Sequence, residues 1–386
     1  MMTSKERLLT AIQNKKPDRL PVVTHHLMPY FLNHYYDGKS GEQFYKELGF
    51  DAIRWEMPLM GDDKAGSRYC SPLGECVGKP KVLMTDNWQV KCTEILGLPH
   101  KTFHYDIVTP KKALTMELQS NKYTTWIKDH LIKEDDDIEI IERYMPVPVC
   151  DSNTLNNIYD EFGDSGIVRA HIPGFELFGQ PGCWQDACCL VGSQEMIMQT
   201  YDDSEWVHEL LRILQRKKLQ YISTLNDAKY DLLELGGGDA STTVISPAIF
   251  NEFVAPYDTK LIEAAHSMGQ KIVYHICGGK MPILENIAAM KPDAMETFTP
   301  VEMGGDIILS EAKRRIGDKC CMIGGFDQGH RLIDCTEEET RHSVRQCFKD
   351  AGGNGGYILS PSDHFFDADV NLLRAFADEA HQCIYT

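Results

Sequence analysis

Lys271-Ile-Val-Tyr-His-Ile-Cys-Gly-Gly279 is the stretch on which the reading of this chain turns. An apolar, β-branched run stopped by two glycines reads as a buried strand. Side chains alternate faces along a strand, so His275 and Cys277, two apart, point the same way. Imidazole and thiolate on one face suit zinc, which needs one or two further ligands from elsewhere in the chain.

The same punctuation recurs on both sides. Residues 167–172, 231–235, 294–298, 320–327 and 356–360 read as strands separated by helical stretches. Ser246-Pro247 opens one of those helices, with Ser as N-cap and Pro in the first turn. Upstream, residues 19–26 and 50–55 add two strands with a helix between them. Eight strand–helix units in series imply a parallel sheet of the α/β class, and eight close naturally into a (β/α)8 TIM barrel behind an N-terminal helix. The stretch from about 61 to 132 breaks the rhythm. Its segments 82–90, 114–118 and 123–126 read as hairpins inserted after the second strand. Residues 1–386 are therefore expected to form a single barrel domain carrying this insertion.

Composition narrows the function. The chain is 42% hydrophobic and 25% charged, ample for a large core, and its net charge is −18. Such a balance argues against nucleic acid or an anionic membrane as partner, since both demand clustered Lys and Arg. No apolar run approaches the length of about 18 residues needed for a membrane span, and the N-terminus lacks a signal-peptide core. A cytoplasmic location is expected. Thirteen cysteines, scattered through positions such as Cys70, Cys76, Cys92 and Cys150, make no disulfide framework. They suit a reducing, anaerobic cytoplasm, and Cys183, Cys188 and Cys189 read as buried structural residues.

In such barrels, polar residues at the carboxyl ends of strands build the site. Those positions hold His25 and His26, Arg54 and Glu56, His171, Glu234 and Asp239. They continue with His275 and Cys277, Glu296, Asp327 and Gln328, then Ser362, Asp363 and His364. Strand alternation allows at most one of His25 and His26 to be functional. Cys320 and Cys321 begin their strand, and a six-residue strand spans roughly 20 Å, too far for one zinc. Further ligands must come from Asp363, His364, Asp327, Glu296 or Glu234. Each also has a structural explanation: Asp363 and Asp327 as turn caps, Glu234 and Glu296 as ion-pair partners of Arg169 or Arg54.

These residues carry a resemblance. Thr3-Ser-Lys-Glu-Arg-Leu-Leu9, Pro17-Asp-Arg-Leu-Pro21, Tyr274-His-Ile-Cys-Gly278, Gly324-Gly-Phe-Asp327 and Gly356-Tyr-Ile-Leu-Ser-Pro361 resemble the uroporphyrinogen decarboxylase superfamily. Within it, the chain is most similar to the corrinoid-dependent methyltransferase branch. In that branch a His-x-Cys pair and a distant Cys bind zinc. His275 and Cys277 match the pair, and Asp363 stands where the third ligand, a Cys, would be. The decarboxylases instead carry an arginine-rich segment after the first strand, where this chain has Thr24-His-His-Leu-Met-Pro-Tyr30.

The resemblance thus implies a zinc-dependent methyltransferase of O-demethylation type, moving a methyl group between a small methyl donor, such as a methoxylated aromatic, and a corrinoid protein. His275, Cys277 and Asp363 would hold the metal. Glu234, Glu296 or Asp327 would complete the shell or donate a proton, and His25, His26, Arg54, His171 and His364 would contact substrate. A homodimer is compatible with this reading. The alternatives are a porphyrinogen decarboxylase and a barrel that binds without catalysis.

Overall fold

The strand–helix punctuation becomes a parallel sheet in the computed structural model, which describes residues 1–74 and 80–385. Seven strands pair in order: β1 (Ala52–Trp55), β2 (Gly166–His171), β3 (Leu232–Gly236), β4 (Ile272–Ile276), β5 (Ala294–Thr297), β6 (Cys321–Gly324) and β7 (Tyr357–Ile358). Every residue of β3 to β6 is buried, as a parallel sheet covered on both faces requires.

The eighth expected strand, at 19–26, is present only in outline. Val22 makes an isolated parallel bridge to Leu359, and its carbonyl accepts from Asp51 N at 2.7 Å. The segment lies between β7 and the start of β1 without becoming a regular strand. Pro21 supplies no amide hydrogen to a ladder, and the chain bends at His25.

Register decides which side chains meet. Trp55 stands opposite Arg169, His171 opposite Glu234, Gly236 opposite His275, and His275 opposite Glu296. One residue earlier or later on each strand faces the other way. On the face shared with His275, Ile53, Ile167, Leu232, Val273, Ala294 and Ile323 pack into an apolar cluster with Val23 and Ile358.

Leu8, Ala11 and Ile12 of the helix Ser4–Ile12 join that cluster, closing it at the amino ends of the strands. Thr3 and Glu6 form a capping box at the start of this helix. The Asp18-Arg19 pair then locks it down. Asp51, fully buried, accepts from Arg7 Nη1 at 2.6 Å, Arg19 Nη1 at 3.1 Å and Val22 N at 3.0 Å, while Arg7 Nε also donates to Asp18 at 2.8 Å.

Helices follow the strands as the caps predict. Ser246 accepts from Ile249 N at 3.2 Å with Pro247 in the first turn. Between β1 and β2 the chain builds a four-stranded antiparallel sheet from Gln89–Ile95, Lys101–Val108, Ala113–Ser120 and Thr125–Asp129. Phe103, Tyr105 and Ile107 alternate inward against Leu114, Met116 and Leu118. The strand Lys101–Val108 is an addition to the expected hairpins.

No helix among the described residues is long and apolar enough to cross a membrane. Eleven described cysteines are free, Cys183, Cys188 and Cys189 among them as buried residues, and Cys92 is disulfide-bonded. Cys76 lies outside the described residues.

Candidate metal centre and its cavity

Two imidazoles, two glutamates and one arginine interlock beneath the carboxyl ends of the strands. His275 on β4 and Glu296 on β5 are register partners, so His275 Nδ1 lies 3.0 Å from Glu296 Oε1. An ionised carboxylate only accepts, so the imidazole N–H at Nδ1 donates to Glu296. His25 Nε2 lies 3.2 Å from Glu234 Oε2 and 3.4 Å from Glu296 Oε1. Arg169, 1% exposed, donates Nη1 to Glu296 Oε2 at 3.0 Å and Nη2 to Glu234 Oε2 at 2.7 Å, and Nη2 also contacts Glu296 Oε1. Trp55 roofs the guanidinium, with ring centroid and Arg169 Cζ 4.4 Å apart, and its Nε1 donates to His25 O at 3.0 Å.

Charge in this cluster is balanced against the cost of burial. Burial pulls His25 down, but Glu296 and Glu234 outweigh it and hold the ring up at about 9. Burial likewise opposes charge on His275, and Glu234, a hydrogen bond with Cys277 and Glu296 raise it well above the usual histidine value. Burial would lift both glutamates. For Glu296, Arg169 and His25 override it; for Glu234, His275 and His25 do, and both stay well below the ordinary carboxylate range. His26 is driven the other way, down to about 3, by its own burial and the charge on His25. It stacks on Trp55 with centroids 4.0 Å apart.

One donor atom each from His275, Cys277 and Asp363 lies within 4.8 Å of the others. Asp363 comes from the loop after β7, and its Oδ1 accepts from His364 N at 2.7 Å with His364 Nδ1 at 2.9 Å. Burial raises Asp363, but His364 and the charged His275 and His25 depress it below the usual aspartate value. Room for the thiol depends on a glycine: a Cβ at Gly238 would sit 2.7 Å from Cys277 Sγ. A second set, His25, Glu234, His275 and Glu296, also converges within 4.8 Å. There Arg169 already holds both carboxylates, and a cation placed between them would face the guanidinium charge. The His275, Cys277 and Asp363 set has no such competitor and is the better cradle for a metal.

These groups line a cavity of about 610 Å³ together with His26, Gln180, Gln185, Asp239 and His364. Its described lining contains no Lys or Arg. A second cavity of about 540 Å³, lined by Met57, Tyr105, Leu118, Phe175, Phe178 and His171, lies between the antiparallel sheet and the strand ends, and Gln180 borders both.

Most of the sequence-derived residues converge here, with four departures. Arg54 faces the other side of β1: its Nε donates to Glu56 at 2.9 Å in a groove beside Phe162. Alternation puts Ile53 and Trp55 inward, so Trp55, not Arg54, is the strand's contribution to the site. Asp327 accepts from His330 N at 3.0 Å as the N-cap of the helix Gln328–Arg331 and does not line the cavity. His25 and His26 both line the cavity, because the chain bends at His25 and strict alternation lapses. His171 lines the second cavity rather than the first. Cys321 sits in the apolar cluster below, and Cys320 in the outer core, away from the donors.

Sequence reasoning placed Arg169 only as an ion-pair partner and missed Lys280 altogether. Lys280 is fully buried, with Nζ donating to Ile276 O at 3.0 Å and Glu296 O at 2.6 Å.

Comparison with known proteins agrees with this architecture. The uroporphyrinogen decarboxylase of Pseudoalteromonas translucida (strain TAC 125) is 24% identical over 233 residues, covering 56% of this chain. The match spans 60% of that relative's length. A methyltransferase from Methanosarcina mazei superposes with a TM-score of 0.63 at 14% identity over 99% of both chains, which establishes a shared fold. The family model described as Uroporphyrinogen decarboxylase (URO-D) matches residues 88–383, and the chain belongs to that family.

Proposed function

We propose that this protein is a metal-dependent methyltransferase that moves a methyl group between a small methylated substrate, such as a methoxylated aromatic, and a corrinoid protein. The observation that carries the reading is the convergence of His275, Cys277 and Asp363 at the wall of the cavity. Imidazole, thiolate and carboxylate together suit zinc. The fit extends outward, since Glu296 fixes the His275 ring through Nδ1, the arrangement that outer partners of metal-binding histidines provide. Zinc held there would supply Lewis-acid activation of the heteroatom that the methyl group leaves.

The chain's own residues do the remaining work. Glu234 and Glu296, held ionised by Arg169 and the two histidines, orient those rings rather than donate protons. His26 and His364 on the cavity wall are placed to hydrogen-bond a departing oxygen. The neighbouring apolar cavity, with Tyr105, Phe175 and Phe178, suits the ring of an aromatic substrate. With residues 21–23 bridging β7 to β1, the sheet is best understood as a (β/α)8 barrel in one domain, its mouth open to a corrinoid partner, and the protein as cytoplasmic.

A decarboxylase reading draws on the curated relative. Against it, a polycarboxylate tetrapyrrole needs several charge-assisted contacts, and the one guanidinium at the site among the described residues, Arg169, is committed to Glu234 and Glu296.

The test is methyl transfer to reduced cobalamin or a reduced corrinoid protein, followed by the visible spectrum of the methylated product across a panel of methyl donors. Transfer is expected, together with about one zinc per chain that His275→Ala or Cys277→Ala removes. Coproporphyrinogen production from uroporphyrinogen without methyl transfer would reverse the assignment.

A further inference from the structure

Asp363 belongs to two groups of converging donors, and only one of them contains a thiol. One donor atom each from His25, Asp363 and His364 lies within 4.8 Å of the others, separately from the His275, Cys277 and Asp363 set. All three line the cavity of about 610 Å³, so the group is open to an ion from solution.

His25 shows that this group is incomplete. The residue is 7% exposed, and its Nε2 is engaged with Glu234 at 3.2 Å. Nδ1, on the other edge of the ring, is shielded from solvent and has no hydrogen-bond partner. A buried nitrogen left bare is costly, and such groups in native proteins call for an explanation. It lies 3.9 Å from Asp363 Oδ1, too far for a hydrogen bond. His364 Nδ1 lies 2.9 Å from the same oxygen. Donors each about 2.0–2.2 Å from one ion can be up to about 4.4 Å apart, so both spacings admit a shared cation. A water would stand about 2.9 Å from the nitrogen and a coordinated ion about 2.0–2.1 Å, so the ion suits an atom that solvent does not reach. An imidazole with one nitrogen on a carboxylate and the other bare is the arrangement of metal-bound histidines.

We propose that His25, Asp363 and His364 hold a divalent cation of their own, beside the thiolate-containing set. Two imidazoles and one carboxylate with open positions suit iron(II) and its first-row neighbours, whereas the thiolate of Cys277 favours zinc. The position therefore fills when the ion is supplied, after zinc has taken the other. Paired catalytic ions sit about 3.5–4 Å apart, and a carboxylate has two oxygens with which to serve both. His364, bound through Nδ1, would keep the N–H at Nε2 for a departing oxygen. The inference goes beyond the metal reading above and shares only Asp363 with it.

Cobalt(II) titrated into metal-free, tag-free protein reads the two positions apart, because only one can give a thiolate charge-transfer band. The wild type is expected to take up about two equivalents per chain, one with that band and one with d–d bands alone. The His364 side chain is 37% exposed, so His364→Ala tests the site without opening the core. It should keep the thiolate band and weaken the second equivalent more than about 10-fold, the loss that removing even an outer partner produces. His25→Gln should do the same, and far-UV circular dichroism of the metal-free forms checks that both variants fold. Cys277→Ala should show the converse, losing the band but keeping one equivalent, which a further His364→Ala then removes. A wild type that binds a single equivalent with the thiolate band would overturn this site and leave the His275, Cys277 and Asp363 reading standing. So would an unchanged second equivalent in folded His364→Ala. A single equivalent without the band, lost in His364→Ala, would support this site and overturn the thiolate one.

Discussion

Asp363 is where this chain parts from its resemblance, and the exchange has a definite chemical sense. A carboxylate is a harder donor than a thiolate, so on the proposed reading Asp363 would tune the site away from soft metals. Asp363→Cys should reverse that tuning. The variant is expected to bind cadmium at least about 10-fold more tightly than the wild type and to show a stronger thiolate charge-transfer band. An unchanged cadmium affinity, measured by chelator competition, would place residue 363 outside the metal's reach. That His275, Cys277 and Asp363 come together was legible, because His275 and Cys277 share a strand face and Asp363 falls in a turn the motif identifies. Trp55 and Lys280 were not. Trp55 required the phase of β1 to be known, and four residues carry too little alternation to fix it. Lys280 follows Gly278-Gly279, where strand periodicity has ended, and only the fold shows its amine returning to the ends of β4 and β5.

At the scale of elements, Lys280 is a tie between adjacent strands. Its burial drives the amine down to about 7, with Glu296 and Cys277 only partly offsetting that cost. The folded state then sheds its proton near pH 7 while the unfolded chain keeps it to 10.5. Within that window the unfolded state binds more protons, so stability rises with pH, and below it the contribution is flat. Lys280→Met should lose this slope and, by leaving carbonyls short of a donor, cost about 1–3 kcal/mol. Urea titrations at pH 6, 8 and 9.5 would read both effects, and parallel slopes in the two proteins would refute the assignment.

The antiparallel insertion carries a separate prediction. Tyr105→Ala should raise KM for an aromatic donor about 10-fold or more while leaving zinc content unchanged, since Tyr105 lines only the apolar cavity. A fall in zinc content would show the two cavities to be one. The strands β2 to β5 were readable as short apolar runs ended by glycine or a polar residue. The outlier, 19–26, scored as a strand because it is apolar, but Pro21 and the bend at His25 leave it only isolated pairing. Lys101–Val108 was overlooked although Phe103, Tyr105 and Ile107 alternate cleanly, because His104 and Asp106 between them suggest a polar loop.

For the whole molecule, a buried charged knot ties the base, opposite the cavity. Asp51 gathers Arg7, Arg19 and Val22 N in a buried knot that fastens the first helix across the apolar cluster. Asp51→Ala leaves Arg19 without its carboxylate and Arg7 with Asp18 alone, and should cost about 3 kcal/mol. Asp18 adds an acid limit. Burial opposes its charge, but the Arg7 hydrogen bond and the Met2 amide hold it below its ordinary value of 3.8. Its contribution is therefore intact above that pH and fades as the solution is acidified further. Thermal melts of wild type and Asp51→Ala at pH 7, and of the wild type from pH 5 to pH 2.5, check both statements. A melting temperature unmoved by the substitution would mean the knot is decorative.

That knot also fixes where the chain can be held from outside. Ser4 Oγ meets Asp51, Lys5 Nζ meets Asp231 just before β3, and Arg19 bridges to Ile384. The first helix and the last residues described are therefore gathered at the amino ends of the strands, while His275, Cys277 and Asp363 lie at the carboxyl ends. A biotin tag or sensor-chip linker attached through either end would present the mouth to the flowing solution. Docking of the proposed corrinoid partner could then be timed on an oriented surface, with the same attachment serving every cavity variant.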